Sequence, residues 1–154
     1  MPAPRPIFSI SVDQTALTAN TARTLVEVMT VAATGIIPVE WWVEFDGVTA
    51  SATPVLVEVG IFSAQTTTGT ATTPNLWSGG ERMIGSACTC RTLITSEGSG
   101  TPSIVDRHRI PPTSGLLYQV PLGLELAVGA TQSFRIRATA AAACNATSGI
   151  KWSE

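Results

Sequence analysis

Histidine, lysine and tyrosine each occur once in this 154-residue chain, and charged residues make up only 13% of it, about half the usual share. The lone His108 argues against a zinc site, which needs four ligands at suitable spacing, and no metal or cofactor is expected. Lys151 is the single lysine among scattered arginines, and a net charge of −2 leaves no basic stripe of the kind that displaces counterions from nucleic acid. No apolar run reaches 18 residues, so no membrane-spanning helix is expected. The opening MPAPRPIFSIS lacks the apolar centre of a signal peptide, which points to synthesis in a cytoplasm. Missing too are a Gly-x-Ser-x-Gly elbow and a Gly-rich loop followed by Lys-Ser/Thr. Helical signals are equally scarce: the Ala140–Ala143 run has neither a cap nor a periodic apolar face and is read as strand end plus turn.

What the chain does have is alternation. Val39, Trp41, Val43 and Phe45 interleave with Glu40, Trp42, Glu44 and Asp46, and Val55, Val57, Val59 and Ile61 with Leu56, Glu58, Gly60 and Phe62. Successive side chains of a strand point to opposite faces, so each run is a strand with one buried face. Asp46-Gly47 and the small residues Thr49 to Thr53 supply the connection. Further strands are expected over Ile7–Val12, Thr24–Val31 (apolar enough for burial on both faces), Arg82–Ile94, Leu116–Val120, Leu122–Val128, Gln132–Ala140 and Ile150–Ser153. Residues 65–80 and 96–115 read as two long loops, with Ile104 and Val105 tacking the second to the sheet. Eight or nine strands with Gly/Pro/Thr turns and no helix predict an all-β antiparallel sandwich, jelly-roll-like. One domain spans residues 7–154, preceded by an extended Pro-rich arm, residues 1–6, without internal hydrogen bonds. Outward Glu40 and Glu44 are expected to meet outward Arg135 and Arg137 across neighbouring strands.

Cys88 and Cys90 fall on one strand face, where Cα atoms roughly 6.5–7 Å apart do not suit a disulfide. Pairing of Cys144 with either stays open, although it leaves an odd thiol; three reduced thiols acting as small hydrophobes is the favoured reading. Asn145-Ala146-Thr147 matches a glycosylation sequon but lacks a secretory context.

Asp106-Arg107-His108-Arg109 is the one cluster with catalytic appeal, since Asp106 and His108 can share a hydrogen bond and Ser103 or Ser114 can be cast as nucleophile. A solvated loop or an inter-subunit polar contact is the preferred assignment, and no catalytic residue is expected. Glu40, Glu44 and Glu58 form a solvated face rather than a glycosidase pair. Trp41 and Trp152 belong to apolar alternation and so to the core. Trp42 and Trp77 are surface candidates, either for protein packing or for stacking on sugars.

Three segments resemble small β-rich virion proteins of tailed bacteriophages. They are WVEFDGVTASATPVLVEV (Trp42 to Val59), Tyr118-Gln119-Val120-Pro121-Leu122-Gly123 with its short Leu/Val continuation, and the arginine-bearing strand, Ala-rich stretch and Trp152-Ser153-Glu154 that end the chain. The resemblance implies a non-enzymatic structural protein of the virion, of the capsid-decoration or head-surface type. Its partners would be the major capsid protein and copies of itself, a trimer at lattice three-folds being the expected unit. Pro2, Pro4, Arg5 and Pro6 of the arm, Trp42, Trp77, Arg107, His108 and Arg109 are the candidate interface residues. The alternative is a carbohydrate- or receptor-binding module of a head fibre or tail component.

Overall fold

In the computed structural model, which describes residues 5–32, 34–49, 52–63, 67–78, 85–98 and 101–154, eleven strands carry the fold and no helix forms among these residues. The strands are β1 (Ile7–Leu17), β2 (Ala22–Met29), β3 (Ile37–Phe45), β4 (Val55–Phe62), β5 (Thr68–Thr72), β6 (Asn75–Ser78), β7 (Thr89–Ser96), β8 (Pro102–Ile110), β9 (Gly115–Gln119), β10 (Ser133–Thr139) and β11 (Cys144–Ser153). They build two antiparallel sheets, β6-β1-β11-β3-β9 and β5-β7-β2-β10-β4-β8. β1 pairs with β11, β2 with β10, β3 with β9 and β4 with β8. The chain is thus one long antiparallel ribbon, β1–β4 against β11–β8, rolled so that successive rungs alternate between sheets. That order is a jelly roll. β5, β6 and β7 form an insertion between β4 and β8 that widens both sheets on the β1/β2 side.

Alternation places the core as expected. Trp41, Val43 and Phe45 of β3 and Val55, Val57 and Val59 of β4 are buried, together with Phe8, Ile10, Phe134, Ile136, Ile150 and Trp152. Each such large side chain contributes ~1.5–3 kcal/mol when fully buried. The two strands of the Pro38–Phe62 region lie in opposite sheets, so the Asp46–Pro54 connection bridges the sandwich. Its corner is pinned where the Asp46 carboxylate accepts hydrogen bonds from the Asn145 backbone N–H and side-chain amide, both at 2.7 Å. Gly47 sits against Pro112, where a Cβ would lie 2.6 Å from the Pro112 carbonyl oxygen.

Several expectations are corrected. The strands number more than eight or nine because both long loops contain strands: β5 and β6 in residues 65–80, β8 in 96–115. β8 escaped notice because its inward positions carry Asp106 and His108 instead of apolar residues. Leu122–Val128 is no strand: Gly123 takes φ +86°, which breaks extension, and only Val128 bridges Ile36. The strand expected from Arg82 begins at Thr89, residues 82–84 lying outside the described part. β1 runs on to Leu17 across a bulge with Gln14 at φ 52°, and β11 starts at Cys144. All three cysteines are free, Cys88 and Cys90 being buried. Burial and the nearby Glu154 charge push the Cys88 thiol up to about 12.

The charge pairing also differs. Glu40 and Glu44 are on β3, in the sheet opposite Arg135 and Arg137, and cannot reach them. Arg135 pairs with Glu27 (Nε–Oε1 2.6 Å), and both are buried. Arg137 and Arg107 flank Glu58 at 2.6 and 2.9 Å, so Glu58 is a buried ion-pair centre instead of a solvated carboxylate. The Glu27–Arg135 part of this face is covered from outside. The Thr67 hydroxyl donates to Glu27, the Arg91 guanidinium donates to the Thr67 carbonyl, and Arg135 donates to the Glu97 carbonyl at 3.2 Å while lying 4.1 Å over the Phe62 ring. Glu97 in turn accepts from the Thr24 hydroxyl at 2.6 Å. A fully buried pair is costly to break because the surviving charge keeps its desolvation penalty. Arg135→Leu should therefore destabilise the fold by ~3–5 kcal/mol in denaturant titrations, and Glu27→Leu/Arg135→Leu together should recover most of that loss.

Burial raises the Glu58 carboxyl pKa, but hydrogen bonds from Arg107 and Arg137 outweigh it and hold the group below its ordinary 4.5. A carboxylate depressed in the folded state stabilises the fold above its unfolded pKa, and that contribution is lost as pH falls through the folded value. Melting temperature should hold steady at neutral pH and fall as the medium drops below about pH 4.5. Glu58→Gln should start lower and show a shallower acid decline in the same melts.

Candidate functional site

Two surfaces collect the chemically active side chains. The first is the outer face of the five-stranded sheet. Register places Lys151 of β11 opposite Glu40 of β3, and Gly149 opposite Trp42. With no side chain at Gly149, the Trp42 ring lies down over β11: a Cβ there would come within 2.1 Å of the ring. Lys151 donates to Glu40 at 2.6 Å and sits 3.9 Å from the Trp77 ring centroid and 5.8 Å from that of Trp42. An ammonium held between two indoles is a cation–π arrangement, strongest with tryptophan. Gln119 of β9 completes the row by donating to Glu40 at 3.1 Å. These two hydrogen bonds, from Lys151 first, lower the Glu40 pKa.

The second surface is the β8–β9 side, where the two sheets part. Asp106 and His108 pair in register with Val59 and Val57 and therefore point inward. His108 Nε2 is 2.8 Å from Asp106 Oδ2, and the Arg107 N–H donates to Asp106 Oδ1 at 2.8 Å. Trp41 stacks on Tyr118 at 5.4 Å, and the His108 ring lies 5.5 and 6.0 Å from these two. Beside them opens a cleft of about 200 Å³, walled by Pro38, Trp41, Val59, Tyr118 and Leu124 among others. Among the described residues of this apolar lining, Asp106 brings the only charge. The hydroxyls cast as nucleophiles lie elsewhere: Ser103 faces Ile61 across the β4–β8 ladder, and Ser114 donates to the Pro111 carbonyl at 3.2 Å.

The candidate interface residues thus separate. Trp42 and Trp77, distant in sequence, share one face through Lys151. Arg107, His108 and Arg109 alternate along β8, so Arg107 reaches Glu58 on the outer face, His108 turns inward against the Trp41 and Tyr118 rings and Arg109 is exposed. Arg5 is exposed and Pro6 half-buried, its carbonyl accepting the Glu154 N–H at 3.4 Å; Pro2 and Pro4 lie outside the described residues. Sequence reasoning missed Lys151, Gly149 and Tyr118, whose roles come from cross-strand register alone. Comparison with protein-family models, curated proteins and solved structures finds no match to this chain.

Gly149→Ala should lift Trp42 off β11, destabilise the protein by ~1–3 kcal/mol as overpacking does, and red-shift tryptophan emission. In a Trp42→Phe background the same substitution should leave the emission maximum unmoved.

Proposed function

We propose that this protein is a non-enzymatic structural component of a tailed-phage virion, a self-associating jelly roll that decorates the capsid surface against the major capsid protein. The observation that carries this reading is the pairing of scarce, internally engaged charge with apolar side chains left in the open. Glu27, Glu58, Glu97, Arg107, Arg135 and Arg137 hold one another or the backbone. Val105, Leu117, Leu122 and Leu124 meanwhile stand 45%, 61%, 95% and 74% exposed along the β8–β9 side. Monomeric proteins seldom leave such a strip uncovered unless it meets a partner. The jelly roll supports the reading only by analogy, since it serves capsid proteins, lectins and cupins alike.

A second reading rests on the Trp42–Lys151–Trp77 face. Flat, accessible indoles flanked by Glu40 and Gln119 suit the stacking and hydrogen bonding that a sugar ring demands. Glycan-array binding that vanishes in Trp77→Ala would favour it over decoration.

Purified protein mixed with capsids assembled without it should co-sediment saturably. Leu122→Ser/Leu124→Ser should lower occupancy severalfold without changing the melting temperature, and deletion of residues 1–6 should weaken incorporation. Absence of co-sedimentation of the wild-type chain would remove the capsid assignment.

A further inference from the structure

Sandwiches have four edge strands, and here they are guarded unequally. An exposed edge presents unpaired N–H and C=O groups that template another chain, and proteins blunt it with charge, proline or brevity. β8 carries Asp106, Arg107 and Arg109. β6 has only four residues, and the Lys151 ammonium stands 3.9 Å from the ring centroid of its Trp77. β5 has five, and Thr67 just before it is fastened to the sheet. β9, Gly115-Leu116-Leu117-Tyr118-Gln119, is also five residues long without charge or proline, but it carries Leu116, Leu117 and Tyr118 where β5 carries threonine and alanine, and no strand lies beyond it among the described residues.

The phase of the β3–β9 ladder says which groups face the open side. Val120 N–H donates to the Val39 carbonyl at 3.0 Å, and Phe45 N–H to the Ser114 carbonyl at 3.1 Å. Hydrogen-bonded positions alternate along an antiparallel pair, so Leu116 and Tyr118 turn their backbone toward β3. Gly115, Leu117 and Gln119 direct N–H and C=O away from it. These three positions are symmetric about Leu117, which is 61% exposed.

We infer that β9 pairs antiparallel with β9 of a second copy of this chain, about a two-fold axis through Leu117. Leu117 then exchanges both backbone hydrogen bonds with Leu117 of the second copy, and Gly115 does so with Gln119 in each direction. No like charges meet, whereas a two-fold through the middle of β8 would set Asp106 against Asp106. On the outer face the row Gly149–Trp42–Leu117 continues into its symmetry mate, making one unbroken ten-stranded sheet. A two-fold interface of this kind closes on itself, so the unit in solution is a dimer instead of the trimer expected from lattice three-folds. The inference needs no capsid, and it stands or falls separately from the virion assignment.

The test is sedimentation of the full chain with two substitutions on β9. Wild type should run as a dimer. Leu117→Lys places two ammonium groups face to face and should weaken dimerisation by roughly tenfold or more, with the melting temperature of the dissociated chain unchanged because the position is exposed. Leu117→Cys should cross-link into a disulfide dimer when an oxidant is added, since directly paired Cα atoms are about 5.5 Å apart. Gln119→Cys should not, because it faces Gly115. A monomeric wild type, a dimer indifferent to Leu117→Lys, or cross-linking as ready at 119 as at 117 would each overturn the inference.

Discussion

β1 and β11 sit at opposite ends of the sequence and pair from Ile7–Ser153 to Leu17–Cys144, and the rungs inside them, β2 with β10, β3 with β9 and β4 with β8, follow from that closure. Every sheet edge, the cleft and the tryptophan face take their positions from this rolled ribbon. Such contacts are long-range, so loop-closure entropy must be met before the pairing rewards it. What compensates is burial: the inner faces of both sheets are mostly apolar, and a one-residue slip of a rung would turn its core set to water.

The outer face of the six-stranded sheet follows a different physical rule. Glu27 and Arg135 are buried there beside the segments at Thr67 and Glu97, and Glu58 between Arg107 and Arg137, so these charges must be satisfied one by one, and the geometry shows them satisfied by one another, by hydroxyls and by backbone carbonyls. Low overall charge is thereby lowered further at the surface. The remaining exterior is hydroxyl-rich, with an apolar strip on the β8–β9 side and an indole–ammonium–indole face on the five-stranded sheet. Both are features through which a scaffold meets other molecules, and neither requires a catalytic group.

Legibility varied with how each strand carries its pattern. β3, β4 and β10 announce themselves because apolar residues occupy every inward site. β8 does not, since its inward positions carry Asp106, at the cleft, and His108, against the Trp41 and Tyr118 rings, and the period-2 signal disappears. β5 and β6 are too short and too rich in small polar residues to show a period. The opposite error, a strand at Leu122–Val128, arose from true alternation of leucines that a left-handed Gly123 turns into a loop. Similarly, Trp42 was legible as outward, but its resting place on Gly149 was not.

By itself the sequence determined an all-β sandwich, the two-faced character of its main strands, the buried Trp41 and Trp152, and which residues point outward. Those properties depend on local period and composition, which one strand displays alone. Only the tertiary structure decided which outward residues meet: Glu27 with Arg135, Glu58 with Arg107 and Arg137, Lys151 with Trp42 and Trp77. It also decided that the apolar β9 lies at a sheet edge. Cross-strand register and strand order are set by closure between residues more than a hundred positions apart, and no local pattern encodes them.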